Sequence, residues 1–227
     1  MRYQFDFRAP LAYWPDFLAG AATTLGLSLA ATVFGFLLGV FCALARTGRT
    51  AWLRRGCAVY VESIRNTPLL VQIFIVYFGL ASVGIKLDAF AAATAALVIN
   101  VGAYTSEIVR AGIESIPESQ LEAADCLGLS RRQVLMHVVL PPAIERVYPA
   151  LTSQYVLLML ASSITSQISA EELTAVANRI QSDTFRSVET YLIVAAAYLV
   201  LSLVMRSLFW CAGYVAFPRR RRLGTPI

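Results

Sequence analysis

Few side chains in this sequence have the types and spacing that catalysis or metal binding requires. The one histidine, His137, has no cysteine or histidine at metal-ligand spacing, and the four cysteines are scattered. Gly79 and Gly84 have the spacing of a phosphate-binding loop, but Ile85 and Lys86 follow in place of lysine and a hydroxyl residue. Ser/His/Asp sets and Rossmann glycines are missing from the sequence. We therefore expect a non-catalytic chain that itself holds no metal, ATP or other cofactor.

Two ionisable residues are better candidates for ligand binding. Glu62 and Arg65 lie three residues apart and so share one face of a helix. Charged groups within a membrane are costly and usually functional. Thr67 and Pro68 follow, and we interpret them as the cap and first residue of a restarted helix. The positive end of that helix, together with Arg65, would hold a carboxylate, and Glu62 would hold an ammonium group.

Simpler interpretations of these polar residues stay open. Glu62 and Arg65 would form an internal ion pair that fixes helix packing or lies at the cytoplasmic interface. For Glu107 and Arg110, at the inner end of the third span, the favoured interpretation is an interfacial ion pair. Hydroxyls later in the chain would line a pathway or bond between helices. These are Ser162, Ser163, Thr165 and Ser166.

The polar residues named above lie in or beside long stretches of the sequence that have no charged residue. The chain has 227 residues, of which 58% are hydrophobic and only 15% charged, which excludes an ordinary soluble fold. A membrane-spanning helix needs about 20 mostly apolar residues. We predict a single all-α integral membrane domain, 1–227, with five transmembrane helices and Arg206 reaching the headgroups near the end of the fifth. The predicted spans are approximately 17–45, 58–81, 88–108, 147–169 and 190–215.

Arginine placement predicts the orientation of these spans. Basic residues concentrate after the first and third spans and in the tail, and such loops stay in the cytoplasm. The N-terminus would then lie outside and the C-terminus in the cytoplasm. The net charge of +5 indicates contact with anionic lipid rather than nucleic acid. The arginines concerned are Arg46, Arg49, Arg54, Arg55, Arg110, Arg131, Arg132, Arg146, Arg219, Arg220, Arg221 and Arg222.

The loop 117–142, between the third and fourth spans, has helix start and stop signals. Ser119 and Glu122 have the spacing of a capping box, which predicts a short helix over 121–127. Gly128 suits the left-handed residue that ends such a helix. The predicted result is a short helix at the membrane surface whose adjacent alanines allow close approach by another protein.

A second helix is predicted directly after this turn. Ser130 and Gln133 form another capping box, and Pro141 and Pro142 are expected to stop the helix after Leu140.

The residues Glu122-Ala123-Ala124, Gly128 and Leu140-Pro141 together resemble the EAA loop of permease subunits in ABC importers. Three further segments resemble the histidine/glutamine/arginine-type permeases of polar amino-acid importers. They are YVESIRNTPLLVQ at 60–72, AYTSEIVRAGI at 103–113, and SSITSQIS at 162–169 with EL at 172–173. The resemblance covers nearly the whole chain.

The resemblance implies a type I ABC importer permease fold with a cytoplasmic coupling helix, in a bacterial inner membrane. Glu122, Ala123, Ala124 and Gly128, with Leu140 and Pro141, would contact an ABC ATPase dimer that binds ATP and magnesium. For Glu122, capping the helix is the simpler alternative. The other implied partners are a second permease subunit, identical or homologous, an extracytoplasmic substrate-binding protein and an amino-acid substrate.

The chain departs from the family pattern at two places. Leu160 and Ala161 stand where many members have Lys-Asp, and Pro142 stands where many have Gln. The first change weakens the case for a cationic substrate. Two alternative functions stay open. One is an ion-coupled secondary transporter or channel subunit that works without an ATPase, and the other is a membrane scaffold.

Overall fold

The computed structural model describes residues 4–217, and they form helices joined by short turns. No strand is present in this part of the chain, so the all-α prediction is confirmed. The basic tail at Arg219–Arg222 lies outside the described residues. The helices are α1 Arg8–Leu11, α2 Trp14–Thr47, α3 Ala51–Arg65, α4 Leu69–Phe74, α5 Leu80–Ser82, α6 Ala89–Glu114, α7 Glu118–Cys126, α8 Arg131–Gln133, α9 Leu140–Ala161, α10 Leu173–Thr184 and α11 Ser187–Ala216.

Three short segments of unusual helix connect some of these elements. A π-helical segment, Ile75–Gly79, joins α4 to α5, and another, Val134–Val139, joins α8 to α9. A 3-10 segment, Ser162–Ile168, follows α9. As a result, Arg131–Ile168 forms one helical stretch of 38 residues.

Four helical stretches in the described residues are long and apolar enough to cross a membrane: α2, α6, Arg131–Ile168 and α11. The second predicted span, 58–81, is instead two helices, α3 and the pair α4–α5, bent by 113°. Counting that bent pair as one span gives the five that the sequence predicts. The helix restart predicted near Pro68 is therefore real, although the helices extend beyond the predicted bounds.

Helix α10 occupies a segment that the sequence reading treats as a loop. Its buried residues Leu173, Val176, Ala177 and Ile180 recur at the spacing of one helix face. This face packs with Phe17 of α2 and with apolar residues of α11 in one buried cluster. A helix of 12 residues is too short to span a bilayer, so α10 packs against the bundle between two spans.

Helices α2 and α6 pack closely along the glycines of α2. A Cβ atom at Gly35 would lie 2.2 Å from Cγ1 of Val101, and one at Gly39 would lie 2.5 Å from Cβ of Thr105. The Gly39 position also approaches backbone, because its Cβ would lie 2.9 Å from the carbonyl oxygen of Gly102. This close-packed seam sets the distance between the two central spans.

The glycine seam yields a matched stability prediction. Gly39→Ala should lower the thermal unfolding midpoint by roughly 5 °C, since overpacking against backbone costs about 1–3 kcal/mol. The control is Gly26→Ala on the same helix, where a Cβ has nothing within 4 Å. Its midpoint should stay level or rise, because alanine favours helix. Thermal unfolding in detergent checks both variants, and equal midpoints would contradict the close packing.

Candidate functional site

Helix α7 begins earlier than the capping-box reading predicts. Pro117 is the N-cap residue, with extended backbone at φ −61° and ψ 138°, and the helix starts at Glu118. Ser119 and Glu122 therefore lie inside α7, and the predicted Ser119–Glu122 capping box is wrong. The proline sets the entry to the helix, because its fixed φ suits the residue that precedes the first turn. Glu122 is exposed and is not needed to cap the helix.

The end of α7 forms as predicted around Gly128. This glycine has φ +69°, in the left-handed region that side chains other than glycine rarely adopt. The Gly128 N–H donates to the carbonyl of Asp125 at 2.9 Å, and the Leu129 N–H donates to that of Ala124 at 3.2 Å. These two bonds form a Schellman motif, so the chain reverses within two residues.

Helix α7 presents one face to solvent and packs the other against the bundle. Glu122, Ala123 and Leu127 are exposed, Leu127 by 77%, whereas Ala124 is 3% exposed. The inner face rests on a small apolar cluster. Its buried members are Ile116, Val139 and Ala143, with Ile113, Leu121, Val134 and Leu135 packed against them. The cluster joins α7 to both α6 and α9, so a push on α7 would reach two spans.

The helix after Gly128 does not stop at Leu140 and Pro141. The Ser130–Gln133 capping box is present and starts α8 as predicted. The two prolines, however, fall in the first turn of α9, directly after the π-helical segment. The predicted stop is therefore wrong, and the loop continues without a break into the fourth span.

The break in the second span is held by the side chain of Gln72. Helix α3 ends at Arg65, and α4 begins at Leu69 after Pro68. The buried Gln72 amide donates to the carbonyls of Ile64 at 2.8 Å and Thr67 at 3.0 Å. Its own oxygen accepts from Asn100 Nδ2 of α6 at 2.9 Å. The sequence reading missed both Gln72 and Asn100, although Gln72 closes the 60–72 motif.

Thr67 takes part in this break but not as the predicted helix cap. Its hydroxyl donates to the carbonyl of Ser63 at 2.9 Å and accepts from Gln72 Nε2 at 2.9 Å. The N-cap of α4 is Pro68, so α4 begins one residue after the proline. Thr67 thus stabilises the end of α3 instead of the start of α4.

Glu62 and Arg65 do not pair with each other as the simpler interpretation expects. Glu62 Oε1 accepts from Asn66 Nδ2 at 2.8 Å, within the same helix end. Arg65 Nη1 lies 3.6 Å from Glu107 Oε2, and the guanidinium is 5.8 Å from the ring centre of Tyr104. Both residues are exposed at the helix break, which leaves their charges accessible to a ligand.

The carboxylate of Glu107 joins three helices through arginines. Arg46, at the end of α2, donates to Glu107 Oε2 at 2.8 Å, and Arg65 reaches the same oxygen from α3. Arg110, one turn along α6, bonds the other oxygen and also Glu114 at 2.5 Å. The predicted Glu107–Arg110 pair is confirmed, within a larger network that fixes the ends of α2, α3 and α6.

The hydroxyls after α9 bond within their own helix. Ser162 donates to the carbonyl of Met159 at 2.6 Å, and Ser163 donates to that of Leu160 at 2.8 Å. Thr165 and Ser166 donate to carbonyls three residues back in the same way. Among the described residues, these hydroxyls therefore donate no bond to another helix. These hydroxyls stabilise the 3-10 segment, and their oxygens remain acceptors.

Glu172 is a buried carboxylate that the sequence reading quoted in a motif but did not select as a site residue. It is 0% exposed and accepts from the N–H groups of Thr174 and Ala175, which caps α10. Tyr198 of α11 donates to it at 2.7 Å. Burial raises the pKa of the Glu172 carboxyl above its ordinary value, while these hydrogen bonds act in the opposite direction. Glu172 therefore holds the turn that follows the 3-10 segment.

The fold and the exposed α7 loop together define a permease subunit of the kind found in ATP-driven importers. The chain belongs to the family described as binding-protein-dependent transport system inner membrane component, whose sequence pattern matches residues 35–210. Members of this class are non-catalytic transmembrane components of importers. The resemblance stated from the sequence is thus confirmed.

Curated relatives and a solved structure agree with this assignment. The octopine transport system permease protein OccM of Rhizobium radiobacter is 34% identical, with 93% of this chain and 91% of that protein covered. The glutamine transport system permease protein GlnP of Escherichia coli strain K12 is 36% identical, at 89% and 93% coverage. A crystal structure of an amino acid ABC transporter with histidines matches with a TM-score of 0.86, 37% identity, and 93% and 99% coverage. The type I ABC importer permease fold is confirmed by this match.

The Glu107 network yields a second stability prediction. Glu107→Gln removes the carboxylate on which the three arginines converge, so we expect a loss of about 1–3 kcal/mol, measured as a midpoint lower by several degrees. The control is Glu114→Gln, because Glu114 is 54% exposed and bonds only Arg110 among the described residues. That exposed pair should contribute about 0–1 kcal/mol. Equal midpoints for the two variants would show that the network does not hold the helix ends.

Proposed function

We propose that this chain is the translocating subunit of an ATP-binding-cassette importer that carries a polar amino acid, or a close analogue, into the cytoplasm. The observation that carries the proposal is the α7 turn, an exposed short helix built on an apolar cluster shared by α6 and α9. The names of its relatives, which transport octopine and glutamine, support an amino-acid substrate or an analogue of one. An ATPase in a separate subunit would energise transport.

The proposed contact with the ATPase uses the outer face of α7. Glu122 and Ala123 are exposed there, and Ala124 packs behind them. Gly128 turns the chain away so that the helix can enter a cleft in the partner. Leu140 and Pro141 lie where the loop passes into α9, so movement of α7 would be passed into the fourth span without an intervening flexible loop.

The remaining partners follow from this role. An ABC ATPase dimer would bind ATP and magnesium, and this chain would bind neither. A second permease subunit would complete the pathway, and an extracytoplasmic binding protein would deliver substrate. The N-terminus would face outside and the C-terminus the cytoplasm of a bacterium, since Arg46, Arg110 and Arg146 lie at the end of the bundle that carries α7.

The proposed substrate pathway passes the helix break and the 3-10 segment. Arg65 would hold the substrate carboxylate together with the first-turn N–H groups of α4, and Glu62 would hold its ammonium group. Thr67 and Ser163 would supply hydroxyl oxygens along the way, whereas the predicted pathway residue Ser162 is 0% exposed and lies behind them. The exposure of Glu62, Arg65 and Thr67 at the break supports this assignment.

The coupling proposal predicts a matched pair of variants. Ala123→Asp should abolish co-purification of the ATPase or reduce ATP-dependent uptake on the order of tenfold, because it places a charge at the centre of the proposed contact. Ala51→Asp is the control, since Ala51 is an exposed alanine at the start of α3. Both variants should keep the thermal midpoint of the unaltered chain. Full uptake with Ala123→Asp would remove the main support for coupling through α7.

The substrate role of Arg65 predicts a change in apparent affinity for substrate. Arg65→Ala should raise the KM for uptake by about tenfold, because a hydrogen-bonded charge contributes about 1.5–3 kcal/mol. Arg65→Lys should also weaken uptake, since lysine lacks the bidentate geometry.

Arg46→Lys is the control for the Arg65 variants, because Arg46 contacts the same Glu107 carboxylate away from the break. It should change the thermal midpoint without raising KM. Unchanged transport in both Arg65 variants would exclude a role in substrate binding.

A further inference from the structure

Arg206 is an exposed arginine within the last span, and no other described residue pairs with it. It lies on α11, and its side chain is absent from the ion pairs and hydrogen bonds of residues 4–217. The helix rises about 29 Å from Ser187 to Arg206 at ~1.5 Å per residue, close to the thickness of the hydrocarbon core. With Ser187 at the opposite membrane surface, this rise brings Arg206 within reach of the lipid headgroups on the side of the bundle that carries α7.

Two cavities meet at Arg206 in the groove between α9 and α11. Both are also lined by Ser153 and Val156. The first, about 340 Å³, extends past Tyr148, Thr152 and Trp210. The second, about 380 Å³, extends the other way, between two pairs of leucines. These are Leu157 and Leu160 of α9, and Leu199 and Leu203 of α11.

The polarity of this groove changes along the membrane normal. Since α9 and α11 run in opposite directions, Leu160 and Leu199 both lie toward the membrane centre from Arg206. The hydroxyl of Ser153 is exposed beside the guanidinium and has no partner among the described residues. One end of the groove therefore offers hydrogen-bond donors to an anion. The other end is mainly hydrocarbon, and its one further hydroxyl, on Ser202, already donates to the carbonyl of Tyr198 at 2.7 Å.

The aromatic residues around the first cavity give the groove a fixed wall. The Tyr148 hydroxyl donates to the carbonyl of Phe209 at 2.6 Å, which ties α9 to α11 at this level. Trp210 stacks on Tyr214 with ring centres 5.6 Å apart. Tryptophan and tyrosine prefer the headgroup region, so their position agrees with the depth assigned to Arg206.

We propose that this groove is a binding site for one anionic phospholipid. The phosphate would sit on the Arg206 guanidinium, which donates to phosphate in a bidentate manner, and on the Ser153 hydroxyl. One acyl chain would lie along the four leucines toward the membrane centre. In the proposed orientation the lipid belongs to the cytoplasmic leaflet.

Trp210 provides a direct probe of occupancy, because it is 57% exposed and lines the groove. The chain has three tryptophans, so Trp14→Phe with Trp52→Phe leaves Trp210 as the single one. The full chain in phosphatidylcholine vesicles is titrated with brominated phosphatidylglycerol or brominated phosphatidylcholine. We expect phosphatidylglycerol to quench Trp210 at about fivefold lower mole fraction, since one arginine near the surface attracts anionic lipid by about 1 kcal/mol.

Matched variants separate the groove from general surface charge. Arg206→Gln should remove the preference for phosphatidylglycerol, and Arg55→Gln, an exposed arginine of α3 outside the groove, should keep it. Arg206→Lys should retain part of the preference for phosphatidylglycerol, and it replaces the glutamine variant in the test if that variant misfolds. Equal quenching by both lipids in the unaltered chain, or a preference that survives Arg206→Gln, would overturn the proposal.

Two further results would assign the groove to another occupant and overturn the proposal. Loss of the phosphatidylglycerol preference in excess inorganic phosphate would indicate a soluble anion. Failure of either lipid to quench Trp210 would indicate that a second protein chain covers the groove.

Discussion

A lipid bilayer offers no hydrogen-bond partners to a peptide backbone, and the rest of this structure depends on that constraint. Each place where an α-helix is interrupted must be repaired by the chain itself. At the break after Arg65, the Gln72 amide bonds the carbonyl of Ile64 at the end of α3 and that of Thr67 within the turn. After α9, hydroxyls bond carbonyls three residues back, and Glu172 caps the next helix. The interruptions are therefore specified by polar side chains, and those side chains coincide with the candidate substrate pathway.

The same constraint explains how a loop at the membrane surface can act on the interior. The prolines at 141 and 142 would normally end a helix, yet the π-helical segment before them lets the chain continue as Arg131–Ile168. One helical stretch thus begins beside α7 and ends at the hydroxyls of the 3-10 segment. Because α7 rests on Val139 and Ala143 of this stretch, the proposed displacement of α7 would act directly on the base of the fourth span.

The sequence predicted features that depend on local chemistry and missed those that depend on contacts across the fold. Gly128 and the Ser130–Gln133 box were predictable because backbone conformation and capping act within a few residues. The Ser119–Glu122 box failed because Pro117 already set the helix start. Arg65 and Gln72 each have a partner on α6, Glu107 and Asn100, that lies far along the chain, so spacing alone could not reveal these contacts. Helix α10 was missed because its amphipathic face has meaning only once α2 and α11 lie beside it.

The position of the candidate pathway bears on the proposed second permease subunit. Glu62, Arg65 and Thr67 lie at a helix break that is exposed instead of being enclosed by the bundle. The centre of the chain, by contrast, is closed by the α2–α6 seam, where glycines leave no room for a side chain. A solute cannot pass through such a seam, so a pathway would have to run along the outer surface at the break. Only another chain facing that surface would shield a polar solute from lipid, which is the role that the proposed partner would fill.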